Sequence, residues 1–206
     1  MKDAQGDPAY GRTNWRRFAV AVGVPTVAAA GLIIGFANGA FAASLTISGQ
    51  AFKISADKLD GDGFSQYSDT EVTAGGKPIP VAISGIKTAK LYNLCQSVHP
   101  AGLPVSLTIN AGKDPNNPAV ANNLLIGLTE LSGDATFTNI NIGSDASTLS
   151  QGGPDAHGAV GGFGQEAQSV VITNLRQTAY STTAGTFKLT GLSLKINVGA
   201  TPPECF

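Results

Sequence analysis

Three aspartates in a short stretch, Asp57, Asp60 and Asp62, offer the oxygen ligands that calcium prefers. A calcium-binding loop would continue after Gly63 with further acidic or amide positions and a closing glutamate, whereas the sequence here continues FSQY. Asp-Gly is also a preferred pair in two-residue hairpin turns. The stretch Asp60–Gly63 therefore predicts a turn, and we expect no metal site.

The segment 162–167, GFGQEA, matches the letters of a dinucleotide-binding fingerprint. That fingerprint functions between a strand and a helix, because the helix N-terminus holds the pyrophosphate. In this chain a glycine-rich stretch precedes the segment and the strand-like run SVVI at 169–172 follows it. We interpret the segment as a mobile loop and expect no cofactor.

The chain has two histidines, and only His157 has a carboxylate nearby in sequence, Asp155. A base and an orienting carboxylate could serve a serine nucleophile, but the strained G-x-S-x-G elbow of such hydrolases is absent from the sequence. His99 and His157 without a cluster of Cys or Glu also make a weak zinc set. We predict no catalytic residue, and the sequence favours a protein that is not an enzyme while leaving that question open.

A long apolar segment must position everything that follows it. Residues 18–43 contain no charge and follow Arg12, Arg16 and Arg17. Such a run can cross a hydrocarbon layer about 30 Å thick, and basic residues tend to remain on the cytoplasmic side. The sequence therefore predicts a cytoplasmic tail at 1–17, a transmembrane anchor or uncleaved signal at 18–43, and an extracytoplasmic domain at 44–206.

Two further features of this segment concern its cleavage and its packing against other helices. Residues 40–42 form the small-x-small pattern that signal peptidases cut, so the alternative is a protein secreted after cleavage near Ala42. Gly31, Gly35 and Gly39 recur every four residues and predict a helix face that another membrane helix can approach closely.

The only two cysteines, Cys95 and Cys205, both follow the apolar segment. Because disulfides persist outside the cytoplasm, we predict that they pair. Nine of the 13 Lys and Arg and twelve of the 14 Asp and Glu follow residue 43, so this part carries a formal charge of −3. A mildly acidic domain has no electrostatic footprint for nucleic acid, which we exclude as a partner.

After Ser44 the apolar residues recur with period two, as in the stretch from Leu192 to Val198, which predicts half-buried strands. A pattern of an apolar residue, Ser or Thr, and Gly or Asn recurs near Gly49, Gly85, Asn139, Asn174 and Gly191. At each of these sites the parity of the apolar positions changes, which indicates β-bulges. We predict an all-β domain, an antiparallel sandwich-like arrangement with bulged strands; intervals near multiples of 18 residues between the repeated patterns keep a β-solenoid as the alternative.

Three segments resemble an uncharacterised family of actinobacterial, streptomycete-type envelope proteins, some of which are labelled cholesterol esterase. These segments are FKISADKLDGDGFSQY at 52–67, LYNLCQSV at 91–98 and GLSLKINVGATPPEC at 191–205. The resemblance implies a single-pass or secreted β-rich protein. No esterase motif in the chain assigns that activity to particular residues.

We therefore expect a non-enzymatic envelope protein, anchored in the membrane, that acts as a structural or binding module. A lipid- or sterol-binding protein or esterase is the first alternative, with His157 as the catalytic candidate. The second alternative is a subunit of a membrane assembly, in which an envelope or membrane protein is the partner.

Overall fold

A computed structural model describes residues 40–41, 50–73, 75–100 and 104–206, and for 40–41 the backbone alone. Most of the apolar segment, including Gly31, Gly35 and Gly39, lies outside the described residues. Within the described part, no helix has both the length and the apolar character needed to cross a membrane.

Ten strands and one short 3-10 helix make up the described chain. They are β1 (Ala40–Phe41), β2 (Phe52–Val72), β3 (Pro78–Tyr92), β4 (Leu94–Val98), β5 (Val105–Ala111), β6 (Ala119–Thr138), β7 (Asn141–Asp145), the 3-10 helix (Ala146–Thr148), β8 (Phe163–Thr183), β9 (Thr186–Lys188) and β10 (Ser193–Val198).

Hydrogen bonds join these strands into a single antiparallel sheet. The four long strands form a closed ring, because β2 pairs with β3, β3 with β6, β6 with β8, and β8 with β2. From β4 the sheet extends through β5 to β10. The all-β, antiparallel prediction is confirmed, whereas the ladders of the described strands lack the parallel rungs of a β-solenoid.

The interior of the ring is filled by side chains. A cluster of 22 buried residues draws on all four long strands and on β4 and β5. Its largest fully buried members include Phe52, Leu91, Leu94, Leu124 and Leu175. This packing explains the period-two pattern of the long strands, since one face of each must meet the cluster. The half-buried prediction is wrong for β10, where Leu194, Ile196 and Val198 are exposed.

The alternation of buried and exposed residues is interrupted at the same level in neighbouring strands. Along β2 the buried residues are Ile54 and Ala56 and then Leu59, so residues 57 and 58 both turn away from the core. The same three-residue step separates Leu91 from Leu94 and Ile172 from Leu175. The strand register places 57, 93 and 174 side by side, and we name this set the first kink row.

Six residues further along β2 lies a second kink row, formed by 63, 87 and 168. Both rows contain left-handed residues, with φ of 52° at Asn93, 54° at Asn174 and 71° at Gly63. Asn and Gly are the residues that tolerate this conformation best. Their positions therefore decide where, along each strand, the residues that face the core change from one alternate set to the other.

The predicted bulges have mixed outcomes. At Asn174 the prediction is confirmed, because the β6–β8 register shifts opposite this residue, between Ser132 and Asp134. At Gly85 it is wrong, since the registers of β3 with β2 and with β6 run through without a shift. Parity changes there because Ile83 and Ile86 belong to different buried clusters, the first under the 3-10 helix and the second in the main core.

Two other sequence predictions are corrected. Asp60–Gly63 is not a turn but lies in the middle of β2. Gly61 faces the core, where a Cβ atom would come within 2.9 Å of side-chain atoms of Ile86 and Val170, so glycine serves packing there. The fingerprint-like segment 162–167 is not a mobile loop either, because from Phe163 onward it begins β8 and no helix follows it.

Candidate functional site

A polar groove of about 310 Å³ lies at the first kink row. We call it the Asp57 groove, and its lining residues are Ser55, Ala56, Asp57, Asn93, Cys95, Asn110, Asn174, Leu175, Arg176 and Cys205. Because two consecutive residues of each kinked strand turn outward, the row exposes polar side chains that a regular strand would place alternately in the core. Asp57, Asn93 and Asn174 reach the groove in this way, and Ser55, Asn110 and Arg176 of the paired strands bring the number of polar side chains at its opening to six.

Hydrogen bonds fix the amides of the Asp57 groove. The Asn93 Nδ2 group donates to both carboxylate oxygens of Asp57, at 3.2 and 3.1 Å. The Asn174 Nδ2 group donates to Asp134 Oδ2 at 3.1 Å. Since each amide uses its nitrogen in this way, its carbonyl oxygen remains directed to accept a further hydrogen bond.

Arg176 supplies the positive charge of the groove. Its guanidinium lies 5.6 Å from the centre of the Phe206 ring, and no carboxylate of the described residues forms an ion pair with it. A guanidinium presents several N–H donors in a fixed plane and remains charged at neutral pH. Together with Asp57 it gives the groove one charge of each sign.

One wall of the groove is the C-terminal tail, which the predicted disulfide holds. Cys95 and Cys205 are joined with an S–S distance of 2.03 Å, and the prediction is confirmed. Lys53 Nζ adds an ion pair to Glu204 at 3.0 Å, and Ser97 Oγ accepts a hydrogen bond from the Cys205 amide at 3.0 Å. The tail is therefore tied to both β2 and β4.

A second groove, of about 330 Å³, lies at the second kink row. We call it the Gly63 groove, and it is lined by Asp62, Gly63, Lys87, Ser150, Gln151 and Gln168. The backbone of Gln151 approaches closely, so that a Cβ atom at Gly63 would lie 2.2 Å from its carbonyl oxygen. Only glycine fits this position.

The segment that rims the Gly63 groove is held by two carboxylates. Glu166 Oε2 accepts hydrogen bonds from the amides of Ser150 and Gln151, at 2.9 and 3.2 Å. Asp145 accepts from the amides of Ser147 and Gly161, both at 2.9 Å. These hydrogen bonds, the one from the Ser147 amide foremost, hold the pKa of the Asp145 carboxyl below its ordinary value.

The other residues singled out in the sequence do not converge on a site. His157 lies exposed in the segment after the 3-10 helix, and His99 directly follows β4. Neither lines the Asp57 or the Gly63 groove, and no ion pair joins Asp155 to His157 in the described part of the chain. Asp60 instead pairs with Lys58 at 3.1 Å. No group of three or more His, Cys, Asp or Glu among the described residues could hold a metal ion.

Sequence reasoning missed most of the groove residues. Asn174 was recognisable as a bend, and Asn93 follows the same pattern of an apolar residue two or three places before an asparagine and another directly after it. Asn110 and Arg176 carry no such signal, because they reach the Asp57 groove only through the pairing of β5 with β4 and of β8 with β2.

The fold and its grooves define an all-β domain with a closed antiparallel sheet, stapled by one disulfide and bearing polar surface grooves. Residues 48–206 match the model of DUF6230, a family of unknown function, and the chain belongs to this family. The match includes both cysteines and both grooves. No curated protein and no solved structure matches the chain.

Proposed function

We propose that this protein is a non-enzymatic binding module of an actinobacterial cell envelope, held outside the membrane by an anchor within residues 18–43, and that its Asp57 groove binds a hydroxyl-rich ligand. The observation that carries the proposal is the convergence of six polar side chains on one groove of about 310 Å³. The volume lies at the lower end of the range for small-ligand pockets, and the largely polar lining favours a polar ligand over an apolar one. The amide carbonyl oxygens of Asn93 and Asn174 need a hydrogen-bond donor, and the Arg176 guanidinium needs an acceptor. A hydroxyl group can be either, so a ligand rich in hydroxyl groups satisfies both.

Two observations support the location. The disulfide supports an extracytoplasmic location, because such bonds persist in oxidising compartments. The backbone of β1 pairs with β9, so cleavage after Ala42 would remove a strand from the sheet. A retained anchor that ends before Ala40 would comprise 22 residues, which as a helix span about 33 Å and suffice for a membrane.

A sandwich-like layering of the domain is part of the same proposal. Its support is that strands on opposite sides of the closed ring contribute to one buried cluster, as in β2 with Ile54 and β6 with Ile126. Two inner faces that share a core are what a sandwich requires.

The binding proposal is tested with the full chain in detergent and the washed insoluble envelope fraction of the producing cells. We expect the wild type to sediment with the envelope and the double variant Asp57→Asn, Arg176→Gln to remain in the supernatant. Lys195→Gln, an exposed charge outside both grooves, serves as the control and should sediment. Wild-type protein that stays in the supernatant, or a groove variant that sediments equally, would overturn the proposal.

The location is tested separately by adding protease to intact cells. We expect a C-terminal epitope to be lost without lysis, because the domain lies outside the membrane. An epitope protected until the cells are lysed would place the domain in the cytoplasm and contradict this part of the proposal.

A membrane assembly subunit is the second candidate, and one surface favours it. Strand β10 ends the sheet and exposes three apolar side chains, with Leu194 at 42%, Ile196 at 71% and Val198 at 77% exposure. Apolar patches of this kind often mark contacts with other proteins. If an assembly uses this surface, Ile196→Asp should release the protein from a complex recovered in mild detergent, whereas Lys195→Gln should not.

A further inference from the structure

The two grooves contain the same kinds of chemical groups and differ by one amide. The Asp57 groove has one carboxylate, one cation, one hydroxyl and three side-chain amides, from Asp57, Arg176, Ser55, Asn93, Asn110 and Asn174. The Gly63 groove has one carboxylate, one cation, one hydroxyl and two amides, from Asp62, Lys87, Ser150, Gln151 and Gln168. Their volumes also agree closely, at about 310 and 330 Å³. Two sites with matching groups suit two copies of the same chemical unit.

Strand β2 joins the two grooves directly. Asp57 and Gly63 are six residues apart on this strand, which corresponds to about 20 Å of extended chain. Between them the strand turns Lys58 and Asp60 outward, and these two form an ion pair at 3.1 Å. Lys58 also lies over the ring of Tyr92, 5.3 Å from its centre, so its charge is already engaged.

We propose that this outer surface binds one linear, neutral polysaccharide whose repeating units occupy both grooves. The inference rests on the function proposed above and adds the length and the class of the ligand. Each groove balances one carboxylate against one cation, which favours a neutral chain over a polyanion. The side-chain amides match hydroxyl and acetamido groups, which donate and accept hydrogen bonds in the same way.

The test measures how affinity depends on ligand length. The full chain in detergent is titrated calorimetrically with β-1,4-linked N-acetylglucosamine oligomers from dimer to octamer. Once an oligomer spans both grooves, the second contact becomes intramolecular, and we expect the affinity to rise by about 100-fold over that of the short oligomers.

Variants test whether the rise in affinity with oligomer length requires both grooves. The double variant Asp62→Asn, Lys87→Gln removes both charges of the Gly63 groove, and neither side chain is buried. It should abolish the rise with length but leave dimer binding at the Asp57 groove. Lys195→Gln should bind every oligomer as the wild type does, and melting curves should show that all variants are folded.

The outcomes separate this inference from the broader proposal. Oligomers that bind equally at every length, or a length effect that survives in the Gly63-groove variant, would overturn the two-groove inference while leaving a single binding site. The absence of binding to any oligomer would overturn the inference as well, and envelope sedimentation would then decide the broader proposal alone. Tighter binding of dextran sulfate than of dextran would refute the neutral ligand.

Discussion

Loss of the disulfide should destabilise the domain mainly through the unfolded chain. Cys95 and Cys205 are 110 residues apart, and the chain-entropy model assigns to a loop of this length about 5 kcal/mol at 25 °C. For a domain of this size each kcal/mol corresponds to about 2 to 4 °C in melting temperature. The double variant Cys95→Ser, Cys205→Ser should therefore melt roughly 10 to 20 °C below the oxidised wild type.

Other contacts hold the C-terminal tail in the folded state, so loss of the disulfide should change the folded structure little. The Ser106 hydroxyl donates to the Pro203 carbonyl oxygen at 2.6 Å, and Lys53 pairs with Glu204, and neither contact needs the sulfur atoms. The folded structure should thus survive in the variant. The denaturant dependence of the unfolding free energy should increase, because the unbridged chain exposes more surface when it unfolds.

Circular dichroism is the appropriate probe, since the single tryptophan, Trp15, lies before the domain. Melting curves of the oxidised wild type, the reduced wild type and the double serine variant provide the comparison, and the two latter samples should agree. A fall in melting temperature of only about 2 °C would refute the reasoning, because it would mean that the bridge hardly restricts the unfolded chain.

Three further outcomes are expected. Gly61→Val should lower the free energy of unfolding by about 1 to 3 kcal/mol in denaturant titrations, because its methyl groups would overlap the Val170 side chain. Asn174→Ala should cost about 1 to 2 kcal/mol in the same assay through its left-handed backbone, and Asn174→Gly should recover most of that loss. The lowered pKa of Asp145 stabilises the fold at pH values above the ordinary aspartate pKa, and this contribution disappears as the pH falls through the lowered value. Melting curves of wild type and Asp145→Asn should therefore differ at neutral pH and converge in acid, whereas a constant difference would contradict the assignment.

Local sequence patterns were sufficient to predict that the fold is all-β. Period-two stretches indicate strands, because alternate residues of a strand face the same side of the sheet. The stretch from Leu192 to Val198 does form β10, but its apolar residues Leu194, Ile196 and Val198 are exposed and do not face a core. The pairing of Cys95 with Cys205 followed from their number and from their position after the apolar segment. The Asp60–Gly63 turn failed because the same dipeptides also suit a strand whose glycine packs against Ile86 and Val170. Turn propensity and close packing use the same residue, and the sequence does not separate them.

The grooves could not be predicted from the sequence, because their residues are brought together by the pairing of strands that are far apart in the chain. Asn93 and Asn174 are 81 positions apart in the numbering, yet both flank Asp57 because β4 and β8 pair with opposite edges of β2. A parity change in one strand is visible in the sequence. That several strands change parity at the same level, and so create a polar groove, is a property of their alignment.

The sequence by itself determined the class of the fold and one covalent bridge: strands follow from the alternation of apolar residues, and the bridge follows from two cysteines placed after the apolar segment. These depend on neighbours along the chain or on the count of a residue type. Only the tertiary structure decided that the sheet closes on itself and that its kinks align in two rows. Ring closure and row alignment depend on hydrogen bonds between residues far apart in sequence, and no local preference encodes which strand edges meet.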